Sequence, residues 1–235
     1  MQEFRLDIIA EYLPLLLRGV LLTVVVSVVS IALGVLIGLF IGFGRMSKLA
    51  ALRLPTKAYI HFFRGTPLLV QILLVHFGLI PLVLGTTDAV IAAIAALSLN
   101  SAAYSAEIFR AGIQSIDKGQ VEAAYSLGLS RGQAMRFVIL PQAVKRMIPA
   151  FGNEFIVLIK DSSLATVIAA PELMYWTNAM KNQYLRVWEP YLTAAFIYLI
   201  LTYSMSKLLA KLENRQEVAG WARKRKENRS GLPLS

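Results

Sequence analysis

Uncharged, mostly apolar residues fill four long stretches between charges: 26 residues between Arg18 and Arg45, 23 between Arg64 and Asp88, 18 between Asp88 and Glu107, and 17 between Glu189 and Lys207. At about 1.5 Å per residue, a helix of roughly 20 residues crosses a ~30 Å hydrocarbon core, so the first two stretches have length to spare and the last two just reach. Lipid cannot satisfy backbone N–H and C=O groups, so all four are predicted to be helices rather than open strands. The first begins behind Glu3, Asp7 and Glu11, has a long core, and is followed by no small-residue cleavage site, which distinguishes it from a signal peptide. Gly34, Gly38 and Gly42 recur every four residues along it and form one stripe where another backbone can approach closely.

A fifth, more polar crossing is predicted between Arg146 and Glu172, where Glu154, Lys160 and Asp161 interrupt an otherwise apolar run. Five crossings place the termini on opposite sides. Segments 45–64, 107–146 and 207–235 then share one side and carry 5, 6 and 8 Lys/Arg, against four in 1–18, 81–88 and 172–189 together. By the positive-inside rule this orients the chain N-out and C-in. The expected class is an all-α integral membrane protein with five transmembrane helices.

Composition narrows the chemistry. The chain is 57% hydrophobic and 16% charged, with no cysteine and two histidines, which excludes a disulfide scaffold, a thiol nucleophile and any cysteine-based metal site. No catalytic residues, metal ligands or bound cofactor are expected. The formal charge of +10 is accounted for by loops on one membrane side, so no nucleic-acid partner is expected. The basic end "WARKRKENRSGLPLS" is expected beside anionic lipid headgroups, at about 1 kcal/mol per nearby basic residue.

Between the third and fourth crossings lie some forty residues too apolar for a linker. Asp117 with Gln120 reads as a helix N-cap with a reciprocal partner, and Gly128 as the left-handed residue that ends that helix. Ser130 with Gln133 repeats the capping signal, and Pro141 is expected to stop or kink the second helix. Val121, Ala124, Tyr125 and Gly128 share one face at helical spacing, which predicts an apolar face needing a cover from elsewhere.

The run "EAAYSLGLSRGQAMRFVILP" resembles the EAA signature of importer-type ABC permeases, matching at Glu122, Ala123, Ala124, Gly128, Leu140 and Pro141, with Val138 where isoleucine is usual. "FRGTPLLVQ", "NSAAYSAEIFRAGIQSI" and "FGNEFIVLIKDSSLATVI" are similar to the polar amino-acid branch of that family. The resemblance implies a transport domain over 19–208 with a cytoplasmic coupling loop at about 114–146, flanked by an external segment 1–18 and a basic cytoplasmic tail 209–235. It further implies an ATP-binding cassette ATPase dimer that carries the ATP and Mg, a second permease copy or paralogue, an external substrate-binding protein, and the cytoplasmic (inner) membrane of a prokaryote. Glu122 would then face the ATPase, Ala123 and Ala124 would permit close approach, and Gly128 would set the bend. The chain has no Gly-x-x-x-x-Gly-Lys-Ser/Thr phosphate loop of its own.

Positions seven apart nearly superpose on a helix, so Asn153 aligns with Lys160 and Glu154 with Asp161 in two adjoining polar stripes. Ionisable groups at membrane depth usually face protein or a water-filled path. An amino acid brings an ammonium and a carboxylate that must both exchange water for partners. Glu154 and Asp161 suit the ammonium, while Lys160, Asn153, Ser162 and Ser163 suit the carboxylate. The alternatives are an internal ion pair that fixes packing, or an ion-coupled secondary transporter or channel using the same residues as a relay.

Overall fold

A computed structural model describes residues 3–229, with side chains placed as far as Lys211. The tail's expected lipid contacts beyond Lys211, and residues 1–2 and 230–235, lie outside the described residues. Among the described residues every regular element is helical. Three helices are long and apolar enough to cross a membrane: α1 (Leu6–Met46), α5 (Ala89–Gln114) and the portion Trp188–Lys211 of α10 (Trp188–Arg229).

The second apolar stretch is not one straight helix. Thr66 and Pro67 are both extended, as a residue before proline tends to be, and they separate α2 (Ala50–Gly65) from α3 (Leu68–Leu74). The chain from α3 through α4 (Ile80–Leu84) leaves α2 at 111°. Sequence places Arg64 at the end of a loop, whereas α2 packs into the bundle. Its Tyr59 hydroxyl donates to the Leu99 carbonyl at 2.7 Å, in the middle of α5.

Two prolines, Pro81 and Pro141, are absorbed into helical chain by a widened turn. A proline has no N–H to donate to the carbonyl four residues back, and its ring crowds that carbonyl. Ahead of Pro81 and Pro141 the chain widens into one π turn, Val75–Leu79 and Met135–Ile139, in which Ile80 N–H bonds Val75 O and Leu140 N–H bonds Met135 O. Pro141 therefore does not stop the second loop helix: α7 (Arg131–Ala134) runs through the π turn into α8 (Leu140–Asp161). At 22 residues α8 is about 33 Å long, then tightens into a 3-10 turn at Ser162–Ile168.

The α1 glycine stripe packs on α5. A Cβ on Gly34 would stand 2.8 Å from the Ser101 Cβ, and one on Gly42 would stand 3.3 Å from the Ala106 carbonyl. At one end of the bundle, Ile8, Tyr12 and Leu16 bury against Leu173 and Met180 of α9 (Leu173–Tyr184). Sequence treats 172–189 as a plain external segment. The structure makes it a helix capped by buried Glu172, which accepts from Met174 N–H and Tyr175 N–H at 2.8 Å each and from the Tyr198 hydroxyl at 3.0 Å. At the other end, Ile116, Ile139, Ala143 and Met147 form a separate cluster beneath α6 (Lys118–Ser126).

Candidate functional site: a charged cavity and an exposed loop helix

A cavity of about 530 Å³ opens between α2, α5 and α8, with Arg64, Tyr104, Glu107, Arg146, Asn153 and Glu154 among its walls. The helix break at Thr66 brings Arg64 here, and its guanidinium lies over the Tyr104 ring, 5.3 Å from the centroid. Glu107 is committed to its own chain, accepting from Arg110 at 2.7 and 2.9 Å and pairing with Arg45 at 3.5 Å. Arg146 lines the cavity and donates to the Ser115 carbonyl. Glu154 is buried, yet no basic side chain forms an ion pair with it among the described residues. A polar recess of about 330 Å³ adjoins the cavity across Arg64, Tyr104 and Glu107 and adds Arg45 and His61.

Of the polar residues singled out on the predicted fourth crossing, Asn153 and Glu154 line this cavity. Lys160, Asp161, Ser162 and Ser163 stand beyond its wall, at the far end of α8 and in the 3-10 turn. Lys160 is exposed, and the Ser162 hydroxyl is buried and donates to the Ile159 carbonyl at 2.8 Å.

The loop between α5 and α8 folds as two short helices. Asp117 caps α6 by accepting from Gly119 N–H at 2.8 Å, while Gln120 N–H bonds the Asp117 carbonyl, so the expected reciprocal cap does not form there. It does form next door: Ser130 N–H donates to the Gln133 side chain at 2.8 Å, and Gln133 N–H to the Ser130 hydroxyl. Gly128 takes φ +81°, donates to Tyr125 O at 2.9 Å, and lets Leu129 N–H reach Ala124 O.

The face of α6 carrying Val121 and Ala124 is covered by this chain itself, because Ala124 is buried and Val121 packs on the Ile116, Ile139, Ala143 and Met147 cluster. The cover expected from elsewhere is thus internal for that face. Among the residues that α6 and the turn after it leave exposed are Glu122, Ala123, Tyr125 and Leu127. Leu140 and Pro141 are exposed on the entry to α8.

Residues 34–218 match the family described as the binding-protein-dependent transport system inner membrane component. The chain belongs to this family. It is a permease subunit of an ABC importer, a transport component rather than an enzyme. It is 45% identical over 195 residues to a probable amino-acid ABC transporter permease protein, YckA of Bacillus subtilis, covering 83% of this chain and 86% of that one. It is 38% identical over 218 residues to the glutamine transport system permease protein GlnP of Escherichia coli, covering 92% and 99%. A solved amino acid ABC transporter with histidines superposes with a TM-score of 0.86 at 43% identity, over 92% of this chain and all of that one.

Two cavity residues of this permease, Arg64 and Arg146, carry no functional assignment from sequence. Arg64 reads there as a turn marker before Gly-Thr-Pro, and Arg146 as a boundary. The available signal is that each is a cation at the edge of an uncharged stretch, Arg64 alone and Arg146 beside Lys145, which does not say whether the helix before it folds outward or back into the bundle.

Proposed function

We propose that the chain translocates a polar or charged α-amino acid through the cavity between α2, α5 and α8. One observation carries this: a buried carboxyl group, Glu154, and a guanidinium, Arg64, neither of them in an ion pair among the described residues, line the same cavity. An amino acid supplies the complement of both, an ammonium for Glu154 and a carboxylate for Arg64, each replacing lost water. Asn153 adds an amide beside them. The relatives described as glutamine and amino-acid permeases support this substrate class. In this proposal Lys160, Asp161 and Ser163 line the far part of the path, and the transport domain spans 19–208.

Five crossings are assigned as α1, α2 to α4 together, α5, α8 and α10, N-out and C-in, in the cytoplasmic membrane of a prokaryote. Glu122, Ala123, Ala124, Gly128, Leu140 and Pro141 are assigned to coupling with an ATPase dimer that binds ATP and Mg. A second permease and an external binding protein complete the transporter. The exposed face of α6 supports the coupling role, since Tyr125 and Leu127 are apolar groups on a loop the sequence assigns to the aqueous side.

The test is uptake of labelled amino acids by the whole transporter in membrane vesicles. Uptake should stop on ATP depletion and survive collapse of ion gradients, and Arg64→Ala and Glu154→Gln should each lower it about tenfold or more. Uptake that follows the ion gradient instead would identify an ion-coupled carrier.

A further inference from the structure

We propose that Gln71 and Asn100 act as positioning residues that hold the α2–α3 break and so aim Arg64 into the transport cavity. This rests on Arg64 contacting substrate, as argued above. A helix end leaves its last carbonyls without intrahelical partners, and within a bilayer water does not supply the missing donors. At this break two buried side chains supply them. Gln71 Nε2 donates to Phe63 O at 2.9 Å, to Thr66 O at 3.1 Å and to Thr66 Oγ1 at 2.8 Å. Asn100 Nδ2 donates to Gln71 Oε1 at 2.8 Å and also reaches Phe63 O at 3.3 Å.

The two amides therefore form one chain from α5 through α3 to the end of α2. Its anchor points, Phe63 and Thr66, bracket Arg64. Rotation of α2 about its axis or a change in the 111° bend would break these bonds together and swing Arg64 off Tyr104, which sits one helical turn beyond Asn100 on the same helix. Gln71 fits this task because its one side chain both donates to the broken end and accepts from α5; leucine would do neither.

The natural chain contains no cysteine, so single cysteines report locally. In the assembled transporter, Arg64→Cys and Asn153→Cys are each labelled with a charged, water-soluble thiol reagent, with and without Gln71→Leu. The expected result is a changed labelling rate at position 64 and an unchanged rate at position 153. Uptake of labelled L-glutamine and L-arginine supplies the functional arm: Gln71→Leu should cost about tenfold, and adding it to Arg64→Ala should cost little more, because both act through one guanidinium. The exchange Gln71→Asn with Asn100→Gln keeps an amide pair and should recover most uptake. If Gln71→Leu fails to insert, Asn100→Ser is read in the same two assays.

An unchanged labelling rate at position 64, or uptake losses that multiply in the double variant, overturns the positioning role. Arg64→Ala with full uptake would instead overturn the substrate contact, and the labelling comparison would still decide whether the amide pair sets the position of residue 64.

Discussion

A Cβ placed on Gly38 of α1 would stand 2.5 Å from the Ser105 Cβ of α5, closer than two side-chain carbons can approach. The same Cβ would meet the Ala102 carbonyl at 2.8 Å, so the obstacle includes backbone and cannot rotate away. Gly38→Val should force α1 off α5 and destabilise the folded bundle by about 1–3 kcal/mol or more. Gly132→Ala is the control, since a Cβ there meets nothing within 4 Å and gains helix propensity. Thermal unfolding in detergent should separate the two, and equal midpoints would show that α1 and α5 do not depend on this contact.

Gly128 holds a left-handed conformation with open space around it, so a side chain there is opposed by backbone geometry rather than by a clash. Gly128→Val should cost about 1–2 kcal/mol locally and unwind the end of α6 without disturbing the membrane helices. Membrane levels should stay normal while ATP-driven uptake falls, and Glu122→Lys, on the exposed face, should do the same. Full uptake by both variants would remove the coupling assignment.

The Ser130–Gln133 capping box fixes where α7 begins. Ser130→Ala removes one half of it and should cost about 1 kcal/mol of local stability, which Ser130→Asp should largely restore. Limited proteolysis of the loop in intact vesicles reads this directly: faster cleavage in the alanine variant and near-normal cleavage in the aspartate variant are expected.

What the sequence discloses and what it hides divide along physical lines. Gly34, Gly38 and Gly42 announce a close contact because their spacing matches the helix, and Gly128 announces a left-handed turn because other residues resist that geometry. Ser130 and Gln133 are legible because the box closes within four residues. The π turns before Pro81 and Pro141 are not, since the rule that proline breaks a helix omits the option of one widened turn. The return of α2 into the bundle is not legible either: it depends on Tyr59 meeting the Leu99 carbonyl of α5 and Asn100 meeting the Phe63 carbonyl of α2, at separations of 40 and 37 residues. Glu172 sits in a stretch that reads as a loop, and only the fold shows that it joins α9 to Tyr198.

The two ends of the bundle give the membrane orientation a direct check. One end is built from Ile8, Tyr12, Leu16, Leu173 and Met180, and the other from Ile116, Ile139, Ala143 and Met147 beside the two loop helices. Because α1 holds Ile8, Tyr12 and Leu16 at the first end and, through Gly42, meets Phe109 of the second, residues of α9 and α6 must emerge on opposite membrane faces if α1 crosses. Lys181 lies on α9, and Lys118 is the exposed first residue of α6. Single cysteines introduced as Lys181→Cys and Lys118→Cys should react oppositely with an impermeant thiol reagent applied to intact cells, the first labelled and the second protected until the membrane is opened. Labelling of Lys118→Cys from outside would reverse the N-out, C-in assignment and with it the coupling role of α6, since ATP is held on the other side.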